Sequence, residues 1–154
     1  MPLEVDETDL RLLRALQDSG RLSNGELSER VNLSPSACHR RVQRLERDGI
    51  IDHYVAILDR RKMGRNVVVF VEITLSGQRE DQLEVFETAV CRIPEVQECY
   101  LMAGAADYLL KVVARDSEDF AAIHRRALSR LPGVAQMQSS FGLRTVKRST
   151  ALPI

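Results

Sequence analysis

The chain has 154 residues, the length of one ordinary domain or two small ones, and that is enough to bury a core. Charged residues make up 29% and hydrophobic residues 44%, which excludes a disordered chain, while 22 Lys plus Arg against 22 Asp plus Glu excludes a general basic coat for nucleic acid. The longest uncharged apolar run, 67–71, is far too short to span a bilayer, and the acidic start (Glu4, Asp6, Glu7, Asp9) lacks a signal-like apolar stretch, so the expected compartment is the cytoplasm with no membrane partner.

The first third reads as three short helices. Over 9–17, Leu10, Leu13 and Leu16 share a face, and Gly20 supplies a residue suited to end the helix. Ser23 followed three residues later by Glu26 is a capping box, and Leu27 with Val31 gives the second helix its apolar stripe. After the tight turn at Asn32-Leu33, Ser34-Pro35 opens a third helix on which Cys38, Val42 and Leu45 recur at i, i+4, i+7, ending at Asp48-Gly49. The apolar, β-branched segment 50–58 predicts a strand or wing. The break in periodicity over 59–65 predicts a linker between domain 1–58 and domain 66–154, its run Arg60-Arg61-Lys62 reading as a solvated connector rather than a phosphate contact.

From Asn66 the period becomes that of strands alternating with helices. A strand over 67–75 is followed by a helical face of Leu83, Phe86, Val90 and Ile93, then a strand over 96–103. A further strand over 108–114 precedes an acidic helix start at Asp116-Ser117-Glu118-Asp119, a face of Phe120, Ile123, Ala127 and Leu131, and a strand over 134–146. Ile93-Pro94-Glu95-Val96 and Leu131-Pro132-Gly133-Val134 punctuate the two halves alike, so the segment predicts a ferredoxin-like βαββαβ domain and the whole chain an α+β protein. Helices cover one face of such a sheet, yet Val67, Val69, Val71 and Val68, Phe70 are apolar on both faces. Either a second copy covers the outer face, giving a homodimer, or the N-terminal domain does; the first reading is preferred.

No metal or other cofactor is expected, because Cys38, Cys91 and Cys99 lack metal-ligand spacing and His39, His53 and His124 have no partners at such spacing. The chemistry concentrates on the third helix. Ser34 and Ser36 stand at its start, and His39, Arg40, Gln43, Arg44 and Arg47 project opposite Cys38, Val42 and Leu45. Arg forks to guanine O6 and N7 and Gln to adenine N6 and N7, so this face suits the major groove of a double-stranded DNA operator, and with the two preceding helices and a following wing it predicts a winged helix-turn-helix. No phosphate loop, nucleophile elbow or metal triad supports an enzyme, the competing readings being catalysis on the ferredoxin-like domain or a ligand-binding oligomer without DNA contact.

These residues also carry a family resemblance. Gly20-Arg21-Leu22-Ser23-Asn24, Glu26-Leu27-Ser28-Glu29-Arg30-Val31-Asn32-Leu33-Ser34-Pro35, Cys38 and Arg41-Val42-Gln43-Arg44-Leu45-Glu46 resemble the Lrp/AsnC, or feast/famine, regulators. So do Phe70-Val71-Glu72-Ile73-Thr74-Leu75, Val96-Gln97-Glu98-Cys99-Tyr100, Asp107-Tyr108-Leu109-Leu110-Lys111 and Arg130-Leu131-Pro132-Gly133-Val134 in the C-terminal half. The resemblance implies a sequence-specific transcription factor with a RAM-type effector and oligomerisation domain, forming dimers that often assemble into octamers and sensing amino acids. An amino-acid effector is then expected around Met102, Ala103, Gly104, Ala105, Ala106, Asp107 and Tyr108 with Gln138, Ser139 and Ser140, near a contact between dimers. Small side chains there admit main-chain contacts, and Asp107 is expected to hold the amine. Where the family commonly has Gly-Asp-x-Asp-Tyr, this chain has Gly104-Ala105-Ala106-Asp107-Tyr108, which removes one charge-assisted partner and points away from a leucine-like response.

Overall fold

The first helix begins where its sequence supplies a cap. Asp6 accepts the main-chain N–H of Asp9 at 2.8 Å while the Asp9 carboxylate accepts that of Asp6 at 3.1 Å, and this reciprocal box starts α1 (Glu7–Asp18). Ser23 and Glu26 make the same box at 3.2 and 2.8 Å ahead of α2 (Asn24–Val31). Asn32 then takes the left-handed conformation at φ 57°, which asparagine tolerates better than other side chains, and Ser34 caps α3 (Pro35–Arg47) by accepting the Ala37 N–H at 3.2 Å. At the far end Gly49 (φ 73°) turns the chain so that the Ile50 N–H returns to the Leu45 carbonyl at 2.9 Å.

The computed structural model describes residues 4–154, and these fall into two units. The first comprises the residues up to Ile57 together with Lys147–Ile154; its core is Leu12, Ala15, Leu27, Val31 and Cys38 with Leu16, Leu22, Leu33 and Val42 packed against them. The segment 50–58, expected as a strand or wing, joins no ladder among the described residues, whereas a strand requires a neighbour for its N–H and C=O groups; Val55, Ile57 and Leu58 stand exposed.

The expected linker 59–65 is an ordered turn closed by Met63 N–H to Asp59 C=O at 3.0 Å and by Lys62 N–H to the Asp59 carboxylate at 3.0 Å, and it groups with the second unit, Leu58–Val146. The division therefore departs from the expected one at both borders, most clearly at 147–154, which belong with the first unit.

The second unit is the βαββαβ arrangement. In chain order it runs β1 (Val67–Leu75), α4 (Glu80–Val90), β2 (Val96–Leu101), β3 (Tyr108–Ala114), α5 (Ser117–Arg126), a 3-10 turn (Leu128–Arg130) and β4 (Val134–Phe141). All pairings are antiparallel in the order β2-β3-β1-β4. The helix closes earlier than the sequence pattern suggests, because Leu128 and Leu131 reach the core from the 3-10 turn and the residue after it, and the last strand, expected over 134–146, ends at Phe141.

Val69, Val71, Ile73 and Leu75 point into the helix-covered core with Phe86, Val90, Leu110, Val112, Ile123 and Leu128. On the opposite face Val68 is half-buried and Phe70 is 41% exposed, with Tyr100 and Leu109 alongside. Among the described residues no helix is long and apolar enough to cross a membrane.

Candidate functional site

The exposed face of α3 is set by what its other sides touch. Cys38 and Leu45 are fully buried, and the Asn24 side chain donates to the Pro35 carbonyl at 2.8 Å, tying the start of α3 to the start of α2. Ser34, Ser36, His39, Arg40, Gln43 and Arg47 are exposed, as the helical period requires. They form one strip presenting two guanidinium groups, a carboxamide, an imidazole and two hydroxyls.

Arg44 departs from the expected placement. It lies on the flank of α3, about 120° from the buried centre at 3.6 residues per turn, and faces the start of α1. Its guanidinium pairs with the Asp9 carboxylate and donates to the Glu4 carbonyl at 3.3 Å. Arg41, which the sequence reading left out, shares the same partner: it donates to Asp9 at 2.9 Å and to Asp6 at 2.7 Å. Asp9 is fully buried, and its carboxylate therefore serves the α1 cap and two arginines at once.

The Asp9 N–H, and after it the Arg41 guanidinium, holds the Asp6 carboxyl below the usual carboxylate range; Asp6 and Asp9 in turn hold Arg41 above its usual value. Asp6, Arg40, Arg41, Arg44 and Arg47 line a shallow groove of about 400 Å³ beside the exposed strip. The signal that could have revealed the clamp was an acidic helix start in a chain whose third helix carries arginines at 41 and 44, one turn apart.

The second cluster is the β2–β3 connection. The Met102 N–H donates to the Asp107 carbonyl at 2.8 Å, closing a loop in which Met102, Ala103, Gly104 and Ala105 are exposed and Ala106 is half-buried. Among the described residues, the main-chain N–H groups of 103–106 donate to no other protein group. A Cβ built on Gly104 would meet nothing within 4 Å, so the space over the loop is open.

Asp107 is placed differently from the expected amine-holding group. It is 7% exposed, and its two carboxylate oxygens accept the Leu75 N–H at 2.7 Å and the Gln78 side-chain N–H at 2.6 Å, while its own N–H donates to the Ile73 carbonyl at 2.9 Å. It fastens the base of the loop to the end of β1. Tyr108 is also inward, donating to Glu87 at 2.7 Å with its ring 4.4 Å from that of Phe86, and burial followed by the Glu87 contact raises its phenol above the usual range.

Gln138, Ser139 and Ser140 are exposed on β4 and pair with Glu72, Val71 and Phe70. Since β1 lies between β3 and β4, one chain does not bring these three residues onto the loop; they alternate between the two sheet faces.

Comparison with known proteins gives the same division of labour. Residues 5–52 match the model of a winged helix-turn-helix DNA-binding family, and residues 68–152 match that of the Lrp/AsnC ligand binding domain. The chain is 43% identical over 151 residues to the leucine-responsive regulatory protein of Escherichia coli K12, covering 98% of this chain and 92% of that one. Among solved structures it resembles a transcriptional regulator of Neisseria meningitidis in complex with L-Met (39% identity, TM-score 0.92, 97% of each chain). It also resembles an AsnC family regulator of Agrobacterium tumefaciens (36% identity, TM-score 0.92, 96% of each chain).

Two substitutions test these placements. Asp9→Ala leaves Arg41 and Arg44 without their shared acceptor and should destabilise the first unit by about 1–3 kcal/mol, read by denaturant unfolding; Glu7→Ala, on the exposed side, should change stability by less than about 0.5 kcal/mol. Asp107→Asn keeps the shape but replaces an acceptor by a donor facing the Leu75 and Gln78 N–H groups. It should lower the unfolding midpoint of the second unit by the equivalent of about 1–3 kcal/mol, whereas stability equal to wild type would show that the carboxylate is not a fastening.

Proposed function

The chain belongs to the Lrp/AsnC family of transcriptional regulators, and from that premise we propose that it regulates transcription by laying α3 in the major groove of an operator while an amino acid bound at the β2–β3 loop biases its assembly state. It carries a helix-turn-helix DNA-binding domain and an amino-acid-binding domain, and it is not an enzyme. The observation that carries the mechanism is the exposed strip of α3. Arg40 and Gln43 read base edges, while Ser34, Ser36, His39 and Arg47 hold the backbone and adjoining bases. Arg44, held by Asp9 and Glu4, adds charge at the rim and reaches a phosphate only with its free donors.

Assembly follows from the open sheet face. Val68, Phe70, Leu109 and Tyr100 stand on this face around Glu72 and the Lys111–Glu98 ion pair, a mixed surface that a second copy of the same sheet would cover, and the segment 51–58, which joins no ladder among the described residues, offers a further edge for self-pairing. We take the dimer as the smallest unit and an octamer as its closed assembly, acting in the cytoplasm.

The effector is an amino acid with an apolar side chain. The relatives include a leucine-responsive protein and a regulator solved with L-Met, and the exposed loop here offers main-chain groups and no acidic side chain at Ala105. The main-chain N–H groups of 103–106 would take the carboxylate. Because β4 and the loop are separated within one chain, Gln138, Ser139 or Ser140 would reach the ligand only from another copy.

Operator binding tests the DNA reading. Arg40→Ala should weaken specific binding by about 1–3 kcal/mol and relax preference at one position of each half-site, whereas Arg47→Ala should weaken all sequences alike and lower the salt slope by about 1. Unchanged affinity in Arg40→Ala/Gln43→Ala, with folding intact, would remove α3 from the interface. Titration calorimetry against the twenty amino acids should find an apolar one that binds and that Gly104→Val excludes; binding indifferent to Gly104→Val would move the site off the loop.

A further inference from the structure

Arg14 and Gln17 lie on the side of α1 away from the buried Leu12 and Ala15, continuing a half-buried stripe begun by Leu10 and Leu13. What meets this stripe is the segment 152–154. The Leu152 N–H donates to Gln17 Oε1 at 2.6 Å, and Gln17 Nε2 donates back to the Leu152 carbonyl at 3.1 Å. Two residues on, Arg14 Nε donates to the Ile154 main-chain oxygen at 2.7 Å, while its Nη1 rests on Glu7 at 3.0 Å.

A carboxamide has the donor and acceptor of a peptide group, so Gln17 treats Leu152 as a neighbouring strand would. The recognition is of main chain, for the Leu152 side chain is 70% exposed. Pro153 between the two contacts has a fixed φ, which lowers the entropy lost when residues 152 and 154 are held together.

We propose that 151–154 form a strap, docked on α1 of the same chain through main-chain hydrogen bonds to Gln17 and Arg14, and that this strap closes the DNA-binding unit. The unit is then a composite of 4–57 and 147–154. The first turn of α1 carries Asp9, which orients Arg41 and Arg44; the strap clamps the last two turns of the same helix. Any event that draws 147–154 away therefore loosens the support of α3 without touching it.

The test is hydrogen exchange by mass spectrometry on the full chain without DNA, so that its outcome is independent of the DNA reading. Gln17→Ala, and Leu152→Pro, which deletes the donated N–H, should each speed exchange over α1 on the order of fivefold, while Leu152→Ala, which keeps the main chain, should match wild type. Wild-type exchange over α1 in both Gln17→Ala and Leu152→Pro overturns the strap. Loosening by Leu152→Ala equal to that by Leu152→Pro overturns main-chain recognition. A disulfide formed between Gln17→Cys and Leu152→Cys, in a Cys91→Ser background, should run at single-chain mass; a product of double mass overturns docking within one chain.

Discussion

The carboxylate of Asp9 sits where three demands meet: the Asp6 N–H at the start of α1, the guanidinium of Arg41 and that of Arg44. A fully buried charge is costly unless every lone pair is engaged, and here the cap and two arginines engage them. Its place in the first turn of a helix adds the favourable end of the helix dipole. The result divides the four arginines of α3 by role. Arg41 and Arg44 are committed to the scaffold, Arg40 and Arg47 face outward, Arg47 with its Nε on the Asp48 carboxylate at 3.0 Å, and the orientation of the outward pair depends on how firmly the inward pair is held.

The second unit repeats the device with Asp107. One inward carboxylate takes the N–H of Leu75 and of the Gln78 side chain, so the loop stands on a fixed base while the main-chain N–H groups of 103–106 donate to no other protein group among the described residues. A loop of Ala and Gly would otherwise lose much of its affinity for a ligand in ordering itself. Rigid at the base and bare at the tip, it can use peptide groups for recognition where many binding sites use charged side chains.

Much of this was legible in the sequence because the signals were local. Capping boxes, the Asn32 turn, the Ser34-Pro35 start and the Gly49 stop are each written within a few residues, and the β-branched apolar run from Val67 marked the central strand, though its residues are apolar on both faces and so did not say which face meets the helices. What escaped depended on distant partners. Nothing near Arg44 in the sequence says that Asp9 will take it, and helical projection alone placed it with the exposed arginines. Asp107 read as a ligand group because the N–H groups its carboxylate accepts from, those of Leu75 and the Gln78 side chain, lie about thirty positions earlier, at and beyond the end of β1. The segment 50–58 had the composition of a strand, but pairing needs a neighbour, and among the described residues it joins no ladder. The helix border near 126–131 slipped because a 3-10 turn carries Leu128 inward out of helical period.

The composite first unit has a kinetic side. Gln17 and Leu152 are 135 positions apart, so on a ribosome adding about 5–20 residues per second the last hydrogen bonds of α1 wait on the order of ten seconds after the helix has emerged. The three-helix core can assemble early from contacts close in sequence, whereas its closure is among the most non-local steps in the chain. The reading helix is thus made among the first elements but seated among the last, after the βαββαβ sheet has been synthesised and can begin to find its own partners.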